Sequence, residues 1–170
     1  MRETLAVISS ALLLSACATM DSNGPRATAT LRPTSGSQVH GEVTFTQIGT
    51  NRVRVTGEIA GHQTGPKGFH IHEKGDCSAP DAKSAGAHFN PVQTKHGSSP
   101  LKGHAGDMGN LAFNESGKAV VDMVLEGLSV SEDAKTGILG RAVIVHIQAD
   151  DMKSDPSGNS GDPAACGVIG

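Results

Sequence analysis

The run Gly68-Phe69-His70-Ile71-His72-Glu73 carries the first chemistry in this chain. On an extended strand side chains alternate faces, so His70 and His72 point together while Ile71 points into a core. Two imidazoles side by side on a rigid element make half of a metal clamp. The rest follows in order: His88, His96, His104 and Asp107, then His146 in a later strand-like run. Of the 8 His in 170 residues, six fall into this one series with a carboxylate among them. Borderline-soft imidazoles with one carboxylate suit zinc or copper rather than calcium or magnesium. The series predicts a metal site.

Short strands must hold these side chains. Alternating or β-branched runs occur at residues 28–31, 39–47, 52–59 and 67–72, parted by the turn sequences Pro33-Thr34-Ser35-Gly36-Ser37 and Gly49-Thr50-Asn51. Residues 118–125 put Ala119, Val121, Met123 and Leu125 on one apolar face, with Lys118, Val120, Asp122 and Val124 on a mixed one. A short strand at 111–113 and runs at 141–147 and 164–169 complete the set. Between Glu73 and Asn110 the pattern stops, and this long Gly-, Ser- and His-rich loop holds most of the candidate ligands. Such a loop is uncommon in a compact domain unless function or a tie holds it. No helical stripe appears, although residues 131–135 allow a single turn. Many strands with no helices to cover their edges predict an all-β domain: an eight-stranded Greek-key β-barrel or sandwich, immunoglobulin-like, with long metal-binding loops.

Composition narrows the function. The net charge is -3, there is no Trp or Tyr, and Phe45, Phe69, Phe89 and Phe113 are the only aromatics. A basic footprint and stacking platforms are both missing, which argues against nucleic-acid binding. Residues 1–16 read as a targeting segment, with Arg2 as a minimal basic start and an apolar run at 5–14 too short to span a bilayer. The run closes on Leu14-Ser15-Ala16-Cys17, which resembles a bacterial lipoprotein signal. That resemblance implies cleavage before Cys17, a lipid on its thiol, and residues 17–26 as a lipidated tether leading to a domain at 27–170. With Ala18 after the cysteine it also implies a periplasmic position, anchored to the outer membrane of the cell envelope. Lipidation of Cys17 would leave Cys77 and Cys166 as an even pair in an oxidising compartment. Their disulfide would close a loop worth roughly 4–5 kcal/mol in the chain-entropy model.

From about Ala27 onward the chain resembles copper,zinc superoxide dismutase. The resemblance is carried by Gly68-Phe69-His70-Ile71-His72-Glu73, Ser84-Ala85-Gly86-Ala87-His88-Phe89-Asn90-Pro91, Lys95-His96-Gly97, His104-Ala105-Gly106-Asp107-Met108-Gly109-Asn110, Gly140-Arg141-Ala142-Val143-Ile144-Val145-His146 and Cys166-Gly167-Val168-Ile169-Gly170. It implies copper on His70, His72, His88 and His146, zinc on His88, His96, His104 and Asp107, and His88 bridging the two ions. It also implies that Asp150 links His70 to His96, that Cys77 and Cys166 pair, and that Gly140-Arg141 is structural. The substrate would be the superoxide anion, disproportionated to oxygen and hydrogen peroxide as an envelope defence. His40 and His62 match no family ligand and read as surface residues. Monomer and homodimer are both open.

One departure stands out. The family places an Arg three residues before the second disulfide cysteine, at the mouth of the copper channel, and here Pro163 stands there. Proline offers neither charge nor donor. No Arg follows Arg141, so Lys153, or Lys102 in the long loop, is the candidate substitute. The alternative is a non-catalytic copper- and zinc-binding carrier of the same shape.

Overall fold

The computed structural model describes residues 24–170, so the signal segment, Cys17 and residues 18–23 of the expected tether lie outside the described residues. Eight strands make up nearly all of its regular structure: β1 Arg26–Pro33, β2 His40–Gly49, β3 Arg52–Ala60, β4 Gly65–His72, β5 Asp107–Phe113, β6 Lys118–Glu126, β7 Ala142–His146 and β8 Pro163–Val168. The sheet takes up the chain before the expected tether ends: the Pro25 carbonyl already accepts a hydrogen bond from the Gln47 amide, and Arg26 pairs with Thr46.

The strand order is β5-β4-β7-β8-β1-β2-β3-β6, and every neighbouring pair is antiparallel. The two end strands, β5 and β6, are joined by a tight turn in which the Asn114 amide donates to the Lys118 carbonyl at 2.9 Å, so the sheet curls back on itself. The β3–β4 and β6–β7 connections cross between non-neighbouring strands, giving a nearly closed Greek-key barrel.

Period-two alternation explains the core. Ala27, Ala29 and Leu31 of β1, Val43 and Phe45 of β2, Val53, Val55 and Ile59 of β3, and Ala119, Val121 and Leu125 of β6 are all buried. Each fully buried Val, Leu, Ile or Phe contributes about 1.5–3 kcal/mol of transfer free energy. Val120, on the mixed face of β6, is 78% exposed.

Strand β7 is different, with all five residues buried. Val143 and Val145 join the barrel core, while Ala142 and Ile144 face outward into a small second cluster with Ala82, Ala85 and Cys166. The long loop after β4 folds over this outer face, tied down by the Cys77–Cys166 disulfide. A short 3-10 turn at Lys83–Ala85 lies in that cover.

The loop is shorter at its far end than the sequence implied. Strand β5 begins at Asp107, not residue 111, and pairs Asn110 with Gly68 and Asp107 with His70. Asp107, Gly109 and Asn110 lack the alternation that marks a strand, and Gly109 turns through a left-handed φ of 78°. Residues 131–135 make no helix; a turn closes where the Gly137 amide donates to the Asp133 carbonyl.

Candidate metal centre

Strand alternation sends Phe69 and Ile71 into the barrel and His70 and His72 out beneath the loop. Strand β7 runs alongside β4, with His70 beside Ile144 and His72 beside Ala142, which brings His146 level with Gly68. A Cβ on Gly68 would stand 2.8 Å from the Ser160 Cβ and 3.1 Å from the His70 ring. Glycine is therefore required where these rings converge.

His88 reaches the same place from the loop. The Phe89 amide donates to the Ile71 carbonyl at 2.8 Å, Phe89 buries its ring in the core, and His88 forms a single bridge with His72. Arg141 braces this segment: its guanidinium lies 3.5 Å from the Phe89 ring centroid and donates to the Glu73 carbonyl.

Two groups result. One ligand atom from each of His70, His72, His88 and His146 falls within 4.8 Å of the others, and the same holds for His88, His96, His104 and Asp107. All seven residues are buried. His88 belongs to both groups.

The hydrogen bonds fix which ring nitrogen is bare. His72 Nδ1 lies 2.8 Å from the Gly86 carbonyl and His146 Nδ1 2.9 Å from the Gly161 carbonyl. Carbonyls only accept, so each Nδ1 carries the proton and each Nε2 keeps its lone pair. Asp150 stands between His70 and His96, with Oδ2 2.8 Å from His70 Nε2 and Oδ1 2.8 Å from His96 Nε2. Both rings donate through Nε2, which leaves Nδ1 bare on each. His70 Nδ1, His88 Nε2 and His96 Nδ1 are buried and have no hydrogen-bond partner. Buried polar atoms are seldom left so.

The second group makes the same point more sharply. His88 Nδ1, His96 Nδ1 and His104 Nδ1 lie 2.8, 3.1 and 3.2 Å from the oxygens of Asp107. Asp107 also accepts the Gly97 and His104 amides at 2.9 and 2.8 Å. At His96 the Nε2 proton is committed to Asp150, so an Nδ1 lone pair faces a carboxylate oxygen. Electron pairs converging in a dry site call for a cation between them.

Burial governs the titration. It pushes the His70, His72 and His146 imidazoles down to about 3, against the partial support that Asp150 gives His70 and that carbonyls give the other two. Burial also lowers His104. Burial pushes the Asp107 and Asp150 carboxyls up, yet the donors around them prevail and hold both below the usual carboxylate range. Neutral imidazoles and ionised carboxylates are the ligand forms metals need.

A pocket of about 210 Å³ opens onto His72, His88 and His146, and Pro163 is on its rim. Neither Lys102 nor Lys153 lines it, whereas Lys83 does. His40 is exposed. His62, expected at the surface because it matches no ligand, is half-buried: its ring packs 5.0 Å from Phe113, its Nε2 lies 3.0 Å from the His146 carbonyl, and burial lowers its pKa. No spacing rule points to it, because the partner is a backbone atom on another strand.

A family model for copper/zinc superoxide dismutase (SODC) matches residues 39–169. The chain belongs to that family. It is 37% identical over 172 residues to the superoxide dismutase [Cu-Zn] of Deinococcus radiodurans, covering 93% of this chain and 90% of that one. It is 42% identical over 143 residues to the extracellular superoxide dismutase [Cu-Zn] of Drosophila melanogaster, covering 79% and 77%. The crystal structure of the clock protein EA4 superposes with a TM-score of 0.75 at 43% identity, covering 89% of this chain and 96% of that one. As a copper/zinc superoxide dismutase the chain is an oxidoreductase with copper and zinc as cofactors and superoxide as substrate.

Proposed function

We propose that the two histidine groups hold the two metals separately and that the pocket above the first is where superoxide reacts. Copper is assigned to His70 through Nδ1 and to His72, His88 and His146 through Nε2; zinc is assigned to His88, His96 and His104 through Nδ1 and to Asp107. The observation that carries this reading is the set of bare, buried nitrogens on His70, His88 and His96. Bound copper supplies one-electron exchange between Cu(II) and Cu(I), while zinc, without redox chemistry, supplies fixed charge.

The residues do the rest. Two superoxide anions and two protons yield one oxygen and one hydrogen peroxide, so the site must deliver protons to the second anion. His88 is placed for that: it lines the pocket, its bare Nε2 would hold and release a proton there when not engaged by the metal, and its Nδ1 stays 2.8 Å from Asp107. Gly86 and Gly161 hold the rings of His72 and His146 in one tautomer through their carbonyls, and Asp150 does so for His70 and His96.

The biological setting proposed is defence of a bacterial envelope against superoxide made outside the cytoplasm, with the chain in the periplasm and held at the outer membrane through lipid on Cys17. An extracellular relative and a disulfide between Cys77 and Cys166 support a site outside the cytoplasm.

The test is superoxide disproportionation by the copper- and zinc-loaded protein, with metal content measured on the same sample. One copper and one zinc per chain with fast turnover is the expected result. Full loading without turnover would reject the enzyme in favour of a metal carrier.

A further inference from the structure

Superoxide is an anion, and the rim of its pocket is short of cations. Pro163, half-buried at the start of β8, contributes an apolar ring, as does Pro156. Among the residues that line the pocket, Lys83 is the one with a permanent positive charge. Its backbone is firmly placed. It opens the 3-10 turn whose Ala85 packs on Ile144 and Cys166, the Lys74 amide donates to the Ala85 carbonyl at 3.0 Å, and the disulfide anchors the loop before the turn.

The ammonium itself is free to act. The Lys83 side chain is 68% exposed, with Nζ 3.3 Å from Asp81 Oδ2 and 3.9 Å from Asp162 Oδ1. Asp162 immediately precedes Pro163, so the lysine reaches across from the loop to the strand edge that carries the proline. Exposed ion pairs of this kind are weak, so an arriving anion can compete with either carboxylate.

We propose that Lys83 is the anion-guiding residue of this dismutase: its ammonium draws superoxide to the pocket over His88 and His146 from the rim occupied by Pro163, and Asp81 and Asp162 hold it there while weakening its field. The assignment rests on the dismutase reading above. It makes opposite predictions for the two signs of charge. Loss of the lysine slows capture, and loss of the neighbouring carboxylate quickens it.

A full positive field changes association rates by roughly 10- to 1000-fold, and one exposed lysine flanked by two carboxylates belongs at or below the low end. In the copper- and zinc-loaded protein Lys83→Ala lowers kcat/KM for superoxide several-fold, up to about tenfold, and flattens its decline with ionic strength. Lys83→Arg restores both, Asp162→Asn raises kcat/KM, and Pro163→Arg added to Lys83→Ala recovers the lost rate. A second readout needs no turnover: azide titrated into the same metal-loaded samples and followed by its charge-transfer absorption binds several-fold more weakly to Lys83→Ala and normally to Lys83→Arg. Metal content stays equal throughout. An active parent whose Lys83→Ala variant keeps its rate, salt slope and azide affinity overturns the assignment. An inactive parent would instead sink the dismutase reading, and the azide series would still decide whether Lys83 attracts anions.

Discussion

Replacing Asp150 by Asn separates the two metals by a hydrogen-bond argument alone. The carboxylate accepts from His70 on Oδ2, and on Oδ1 from both His96 at 2.8 Å and the Met152 amide at 2.6 Å. An amide has one accepting oxygen and one donating NH2. If the NH2 faced the Oδ1 side it would oppose two donors; on the Oδ2 side it opposes one. Each buried donor left without an acceptor costs about 1–3 kcal/mol, so the oxygen stays with His96 and Met152 and the NH2 turns to His70. The His70 ring must then offer its Nε2 lone pair and move its proton to Nδ1, the atom assigned to copper. A penalty of about 1–3 kcal/mol corresponds to a roughly 5- to 150-fold loss of affinity, in line with the 10- to 100-fold typical of residues that orient metal ligands. Copper affinity should fall by that amount in Asp150→Asn, and zinc affinity by less than about tenfold. Competition against a chelator of known affinity, run separately for each ion, measures both. Equal losses, or zinc lost first, would refute the orientation argument, and unchanged copper affinity would refute the tautomer argument.

Other perturbations follow from the same geometry. His88→Ala removes the ring shared by both groups, so zinc content should drop and superoxide turnover fall at least about 100-fold, the least that a positioned proton donor is normally worth; retention of both would disprove the bridge. Replacing Cys77 and Cys166 together by Ser opens an 89-residue loop and should cost roughly 4–5 kcal/mol in the chain-entropy model, read as a lower denaturant midpoint. The metal-free protein should lose stability on acidification. His70, His72 and His146 have folded pKa values near 3, below the unfolded value of about 6.5, so unfolding takes up protons between those limits. Stability is full above about pH 6.5 and declines toward pH 3, by up to about 4 kcal/mol per unit where all three contribute. A pH series of urea midpoints that stayed flat from 7 to 4 would contradict this.

How much of this was legible beforehand depended on which atoms carry the information. Strands β3 and β6 announce themselves because one face is apolar and the other wet, and the pattern marks both to within a residue of their ends. His70 and His72 are equally plain, since period-two spacing fixes them on one face. Strand β5 is half hidden because its first residues belong to the proposed metal centre and its turn, leaving no alternation to see. The carbonyls of Gly86 and Gly161 were invisible because a backbone acceptor has no residue type. Nothing in the sequence singles out Lys83, because only the disulfide and the small cluster of Ala82, Ala85, Ile144 and Cys166 place its loop against β8. His62 is hidden for a related reason: it matches no ligand pattern, and neither its packing on Phe113 nor its contact with the His146 carbonyl leaves a mark in the sequence.

The disposition of the two groups along the chain bears on how the centre assembles. His88, His96, His104 and Asp107 all come from one contiguous stretch, whereas His70, His72 and His146 belong to strands whose partnership requires the sheet to close. Bringing together groups near in sequence costs less chain entropy than joining distant ones, and distant pairings form later in folding. On the proposed assignment zinc can organise its loop before the barrel is complete, while copper must wait for β4 and β7 to meet. The redox metal then has no complete site until those two strands have paired, which keeps its chemistry away from an unfolded chain.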